Sequence, residues 1–300
     1  MDEHPQDHPS GLASGGPHGL DGGDGRDGAA GTAPLEELAL VQGRRMPLPA
    51  ASLPVTDDGV ARGDGAFETI GVWGGRAFRL DDHLARLQSS LAAIALPPAD
   101  LALLREEAAD LLQGVSADAA LRVYVTASGT RVLTLSAQPG RAPARALHPR
   151  PAPWIRPPAE YEPAGAKTMS YGPNMTATRL ARAAGADDAL LLSADGHVLE
   201  GPTFGVLWVT GAVISCAPVS SGIVDSISRR TLLALAAGLG LQVREQLLPL
   251  REVAAADEVL VCSSVRDVAA VERIGDVAIE GPNPRRDALS YALEAARRGR

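Results

Sequence analysis

Lysine is all but missing from this 300-residue chain: of its 28 basic residues 27 are arginine, and the one lysine is Lys167. Cysteine occurs only as Cys216 and Cys262, too few for a disulfide framework in a chain of this length. Aromatic residues make up 3%. No run of about 18 apolar residues occurs, so no membrane span is expected. The net charge of -8 argues against a nucleic-acid binder, which would show a basic stripe. The opening MDEHPQDHPS is acidic and polar, unlike a signal peptide. What remains is a globular composition, 45% hydrophobic, with a sizeable core expected and a cytoplasmic location.

Several chemistries are missing as well. There is no Walker A motif, HExxH, CxxC or GxSxG, and His83, His148 and His197 stand beside no candidate nucleophile, so hydrolase and metal-site readings find no support. A formal GxGxxG at Gly23, Gly25 and Gly28 lies in low-complexity sequence, where neither a strand nor a helix frames it.

Residues 1–33 read as a disordered tail, with nine of the 32 glycines, no aromatic residue and six acids against one arginine. A small N-terminal α+β domain is expected over residues 34–150. Residues 66–73 and 76–80 form a hairpin across Gly74-Gly75, and a helix capped by Asp81 or Asp82 runs to Ile94. A second helix spans residues 98–112, and a second hairpin pairs residues 120–126 with 131–136. The Pro- and Arg-rich stretch from about residue 139 to 163 reads as a connector, with the domain linker proper at 151–163. A larger domain, residues 164–300, follows. Helices are expected at 173–184, 226–239 and from 286. Strands are expected at 189–192, 197–200, 204–209, 213–216, 241–246, 258–263 and 268–274.

An arginine-rich background makes a surviving lysine informative. Arginine matches its charge but cannot release its proton at working pH, so it cannot serve as the amine of a Schiff base. Lys167 is either a chance surface residue or a reactive amine at the entrance to the second domain, before a helix that Pro173 starts well. Glu200 ends a strand before Gly201, where a carboxylate in a cleft would hold a protonated ring nitrogen. Ser226-Ile227-Ser228-Arg229 opens a helix. It is either an ordinary serine cap or an anion site made by free N–H groups.

Taken in order, these pieces resemble the class IV aminotransferase family, the fold-type-IV pyridoxal-phosphate enzymes. The resemblance covers about residues 47–296. It rests on Arg62-Gly-Asp-Gly-Ala-Phe-Glu68, His83-Leu-Ala-Arg-Leu87, Lys167-Thr-Met-Ser-Tyr171, residues 186–192 with Asp195-Gly-His-Val-Leu-Glu-Gly201, Ser221-Gly-Ile223, Ile227-Ser-Arg229 and Cys262-Ser-Ser264. It implies a two-domain α+β fold, pyridoxal 5′-phosphate as cofactor, a homodimer and no metal. It further implies that Lys167 holds the cofactor as a Schiff base and shuttles the proton. Glu200 would partner the pyridine nitrogen and Arg86 the phosphate. Ile227, Ser228 and Ser264 would add phosphate contacts, and Tyr171 would lie near the ring. Phe67 is expected to line the substrate pocket, and Trp73 to pack in the core.

Three places depart from the family pattern. Gly205 stands where an asparagine is usual. Asp225-Ser226 replaces Pro-Gly ahead of the phosphate-binding helix. Residues 126–129 lack an Arg-Gly found in some members, which leaves Arg122, Arg131 or Arg62 to receive a substrate carboxylate. Among the reactions of the family, the Lys-Thr-x-Ser-Tyr and Glu-Gly-Pro segments look most like 4-amino-4-deoxychorismate lyases, which release 4-aminobenzoate and pyruvate and serve folate biosynthesis. A transaminase for branched-chain or D-amino acids is the alternative, and a non-catalytic homologue a third reading.

Overall fold

A computed structural model describes residues 35–138, 145–152 and 164–299. The tail, residues 1–33, and residues 153–163 of the expected linker lie outside them. Among the described residues the strands form three sheets. The first is antiparallel throughout, in the order β2 (Arg44–Pro47), β1 (Leu38–Val41), β6 (Arg131–Ala137), β5 (Ala119–Thr126), β3 (Gly65–Trp73), β4 (Arg76–Ala77). The short helix α1 (Asp58–Ala61) precedes β3, and α2 (Leu80–Ala93) and α3 (Leu101–Leu112) pack on the sheet. The apolar spacing of α2 explains its docking: Leu84, Leu87 and Leu91 are fully buried, as are Leu104, Ala108 and Leu111 of α3. Each buried leucine contributes about 1.5–3 kcal/mol.

The expected Gly-Gly turn is present. Gly74 and Gly75 have φ of 55° and 78°, the left-handed pair that a type I′ hairpin requires. The cap of α2 differs from expectation. Arg79, itself left-handed at φ 56°, occupies the N-cap, and Asp81 and Asp82 fall in the first turn, where negative charge suits the helix dipole. Asp82 is held there by Arg79 Nε at 2.6 Å. For α3 the start moves from residue 98 to 101, because Asp100 caps the N–H groups of Ala102 and Leu103.

The second sheet has the order β11 (Gln242–Glu245), β10 (Val213–Cys216), β9 (Gly205–Thr210), β12 (Glu258–Ser263), β13 (Arg266–Ala270). Helices α5 (Ile227–Gly238) and α7 (Pro284–Arg298) cover one face through Leu232, Ala236, Leu289 and Leu293. The third sheet runs β15 (Val277–Ala278), β14 (Arg273–Ile274), β7 (Ala146–Pro151), β8 (Asp188–Leu192), with α4 (Gly172–Ala183) packed on β7 and β8. The short α6 (Leu250–Val253) adds Val253 to the core beside Trp208 and Val259. The architecture is α+β, the fold type the motifs imply.

Three readings are corrected. Part of the stretch read as a connector is β7, parallel to β8. Its prolines hid it, yet they are tolerated: β14 pairs only with Ala146 and Leu147, so Pro149 and Pro151 sit where no second neighbour needs an N–H. Residues 197–200 make isolated bridges, Val198 to Leu192 and His197 to Pro249, rather than a strand. The strand expected at 268–274 is split between β13 and β14, which belong to different sheets. The four-residue strands β1 and β2 carried too short a pattern to be read.

Gly75 gives a test of the hairpin. It combines φ +78° with a position where a Cβ would collide with the Val115 carbonyl oxygen, whereas Gly211 has φ +60° and nothing within 4 Å. Gly75→Ala is expected to lower stability by about 1–3 kcal/mol, and Gly211→Ala by only the left-handed backbone cost of about 1 kcal/mol. Urea unfolding of both variants measures the difference.

Candidate active site

Strand β3 sets the site through its period of two. Glu68, Ile70 and Val72 point toward α2, while Phe67 and Thr69 line a cavity of about 380 Å³ on the other face. The register sets Tyr124 opposite Phe67 and Arg122 opposite Thr69, so these share the cavity side. Phe67 and Tyr124 stack with their centroids 5.8 Å apart, and Tyr171 meets Phe67 edge-on at 5.1 Å.

The edge of β3 ahead of β4 receives the Lys167 segment. Phe67 N donates to the Lys167 carbonyl at 3.2 Å, Met169 N to the Gly65 carbonyl at 2.9 Å, and Lys167 N to Ser90 Oγ of α2 at 3.0 Å. These bonds fix the backbone of the only lysine. Its Nζ stands 4.1 Å from the Phe67 centroid and donates to the Tyr171 hydroxyl at 3.1 Å.

Behind this wall lies a buried charge cluster. Glu68 has no exposed surface and receives Arg86 Nε at 2.7 Å and Nη2 at 2.6 Å, a bidentate fork. His83 Nδ1 lies 2.7 Å from its Oε2. Burial works to raise the Glu68 pKa, but the charge and hydrogen bonds of Arg86 and the bond to His83 outweigh it and hold the carboxyl at about 2. Burial pushes His83 below the usual histidine range, against the pull of Glu68. Burial also disfavours the charge of Arg86, and the Glu68 carboxylate overrides this and raises its pKa. Arg86 donates Nη1 to the Asp225 carbonyl at 2.8 Å, so three of its five N–H donors are engaged in these bonds while it lines the cavity.

Glu200, 6% exposed, reaches the cavity from the far side and accepts from Val224 N at 3.2 Å. Gly201 follows because a Cβ there would collide with the Phe204 ring. Ser226 caps α5, its Oγ accepting from Arg229 N at 3.3 Å, and lines the cavity. Ile227 and Ser228 sit buried in the first turn just behind it. Ser264 also lines the cavity. Asp225 does not oppose an anion here, because its carboxylate turns to Arg229 at 3.1 Å and Arg230 at 3.6 Å. Cys262 lines the cavity too, but burial pushes its thiol up to about 12, which removes it as a nucleophile.

The structure thus brings Phe67, Arg86, Arg122, Lys167, Tyr171, Glu200 and Ser264 around one cavity. It does not bring Arg131 or Arg62 there. Arg131 is bound to Glu107 at 2.6 and 2.7 Å, and Arg62 is exposed and paired with Asp58. Trp73 is buried in the core, 1% exposed, under Arg297. Sequence reasoning missed Arg266, which lines the cavity without any motif to announce it. That Glu68 joins His83 to Arg86 was likewise not legible in their motifs. The signal was present in the i, i+3 spacing of His83 and Arg86 on a helix facing β3.

Residues 65–274 match the family described as amino-transferase class IV. The chain is 28% identical over 259 residues to a putative branched-chain-amino-acid aminotransferase of Methanocaldococcus jannaschii, covering 75% of this chain and 83% of that protein. It is 35% identical over 183 residues to a bifunctional aminodeoxychorismate lyase / D-amino acid transaminase of Mycobacterium tuberculosis, covering 53% and 61%. In three dimensions it is similar to a fold IV-transaminase from Curtobacterium pusillum, with a TM-score of 0.80, 26% identity, and coverage of 87% of this chain and 98% of the other.

The charge cluster makes stability depend on acid. Since the folded pKa of His83 is depressed, the unfolded chain protonates first: the contribution is complete above about pH 6.5 and declines as pH falls below it. The contribution of Glu68 is complete above its ordinary value of about 4.3 and is lost as pH falls toward 2. His83→Gln is therefore expected to flatten the loss of stability between pH 7 and about 5, measured by denaturant melts at each pH. Glu68→Gln strands Arg86 and is expected to cost about 3–5 kcal/mol at pH 7. A cost below about 1 kcal/mol would show that the pair is not the buried contact described.

Proposed function

Because the chain belongs to the class IV aminotransferase family, whose enzymes depend on pyridoxal 5′-phosphate, we propose that it is a lyase converting 4-amino-4-deoxychorismate to 4-aminobenzoate and pyruvate. The observation that carries this reading is the wall beside the amine. Lys167 Nζ stands over Phe67, which is stacked on Tyr124 and flanked by Tyr171, a flat apolar surface suited to a six-membered ring.

The residues fit the cofactor. One cavity presents an amine, a buried carboxylate, an arginine with donors to spare and the start of a 12-residue helix. Lys167 would hold the group, Glu200 would keep its ring nitrogen protonated, and Arg86 with the first N–H groups of α5 would hold its phosphate, aided by Ser228 and Ser264. When bound, pyridoxal 5′-phosphate supplies an electron-withdrawing ring that takes up charge left on a substrate carbon. The protein supplies the rest. Lys167 takes the proton from the amine-bearing ring carbon, and the Tyr171 hydroxyl at 3.1 Å keeps the amine aimed. The ring C–O bond to the enolpyruvyl group breaks, its electron pair leaves on oxygen, and the six-membered ring becomes aromatic. The departing enolate takes up the proton held by Lys167 at its methylene carbon to give pyruvate. Phe67 and Tyr124 exclude water from that face. Arg122, fixed by Ser136 Oγ at 3.1 Å, receives a substrate carboxylate.

A transaminase for branched-chain or D-amino acids is the second reading, favoured by the names its relatives carry. We further propose that the protein works as a homodimer, which light scattering of the purified protein tests. The decisive assay feeds 4-amino-4-deoxychorismate to the holoenzyme with no keto acid present and follows pyruvate. Release is expected, falling about a thousandfold or more in Lys167→Ala. Turnover that occurs only with an added keto acid would replace the lyase by the transaminase.

A further inference from the structure

The last turn of α7 reaches both sheets that wall the Lys167 cavity. Arg297, its side chain 2% exposed, donates Nη2 to the Arg266 carbonyl at 2.9 Å and Nη1 to Asp267 Oδ1 at 3.4 Å. Its guanidinium carbon stands 4.1 Å from the centroid of Trp73, the last residue of β3. Arg298 follows and forks onto Asp118 at 2.9 and 2.8 Å. Asp118 also accepts from Gly74 N, in the β3–β4 turn, at 2.8 Å. One arginine thus pins the helix end to the six-stranded sheet, and the other grips the five-stranded sheet.

What Arg297 grips is the turn between β12 and β13. The ladder there shifts register between Val261 and Ser263, and a single pair, Ser263 with Arg266, closes the turn. Ser263, Ser264, Val265 and Arg266 all line the cavity. One pair beyond a register shift is weak support for a cavity wall, so the turn leans on its neighbours. On one side lie Gly71 and Trp73 of β3. A Cβ at Gly71 would collide with both the Ser264 carbonyl and the Trp73 indole. On the other side lies α7, where Ser290 donates Oγ to Asp267 Oδ2 at 3.0 Å and Arg297 takes the successive residues Arg266 and Asp267. An apolar side chain would fill this buried space without the desolvation cost of a cation. Arginine adds a planar fork that fixes a backbone carbonyl, a carboxylate and an indole face relative to one another, and the C-terminal end of α7 favours its charge.

We propose that Arg297 is a positioning residue for the cofactor's phosphate: it holds the β12–β13 turn so that Ser264 stands where the phosphate is bound. Among the described residues none of α7 lines the cavity, so Arg297 acts only through the turn. This rests on the proposed reading in which Ser264 meets that phosphate, and it holds for a lyase or a transaminase alike.

The test titrates the full chain with pyridoxal 5′-phosphate and with pyridoxal, which lacks the phosphate, and reads the ratio of the two dissociation constants by absorbance. Ser264→Ala is expected to lower the preference for the phosphorylated form about tenfold to a hundredfold, the worth of one hydrogen bond to a charged group. Arg297→Gln should lower it to a similar extent, and Arg297→Lys, which keeps the charge but loses the fork, by less. The double variant Arg297→Gln with Ser264→Ala should fall no further than Ser264→Ala alone, since both act through one contact. Thermal unfolding shows whether each variant is folded, and Arg297→Lys carries the test if Arg297→Gln is not. A lowered Tm with an unchanged ratio, or losses that multiply in the double variant, overturns the proposal. Ser264→Ala at the wild-type ratio would overturn it together with the phosphate role of Ser264. A shared, non-additive loss without pyruvate release would support this inference and remove the lyase.

Discussion

Glu68 is a carboxylate with no exposed surface, and its charge can be tolerated only if something meets it. Arg86 does so with a two-point fork, and His83 closes the remaining side. That requirement reaches far beyond the pair. It fixes which face of β3 looks inward, since a one-residue slip would send Glu68 into the cavity and Phe67 into the core. It holds α2 at a set height against the sheet. Through the Asp225 carbonyl it also ties the first helix-bearing layer to the entry of α5, more than a hundred residues away in sequence. The apolar cores on either side could be built in several ways; the ion cluster admits few.

The same cluster explains how a cavity can carry an arginine and still be electrostatically quiet. A lone buried arginine would carry a large desolvation cost and would move to relieve it. Paired with Glu68, Arg86 is near neutral as a unit, and what it offers an anion is oriented N–H donors rather than surplus charge. The Asp225 that stands in place of the usual Pro-Gly fits this arrangement. Its carbonyl serves Arg86 while its carboxylate serves Arg229 and Arg230, so one residue braces both sides of the loop. Gly205 is accommodated in a similar way. A Cβ there would lie 3.4 Å from Cys262 Sγ and 3.7 Å from Ser226 Oγ, so glycine keeps that corner of the cavity open.

Much of this was legible in the sequence. Helices α2, α4, α5 and α7 announce themselves through apolar spacing and through Pro173 and Ser226 at their starts. The β3–β4 hairpin is written in Gly74-Gly75. Lys167 stood out because the background had removed every other lysine. Other features were hidden for physical reasons. Strand β7 carries prolines that argue against a strand until its half-open edge is known. Residues 268–274 look like one strand because a sequence does not show a chain leaving one sheet for another between Ala270 and Arg273. Of the candidate arginines, Arg62, Arg122 and Arg131 were equivalent as letters. Only tertiary partners separate them, since Asp58 and Glu107 occupy two and leave Arg122 lining the cavity. Arg266 belongs to no motif and could be found only by seeing which walls meet.

The scarcity of lysine has a practical side. Apart from the chain's own N-terminus, the amine in the cavity is the one primary amine in 300 residues. Reagents that acylate or crosslink amines meet only that terminus and Lys167. Chemical coupling of the protein to a bead or a dye through amines would be divided between the terminus and the cavity. The share that falls on Lys167 would read out how many cavities are open, turning an accident of composition into a built-in titration of the cavity.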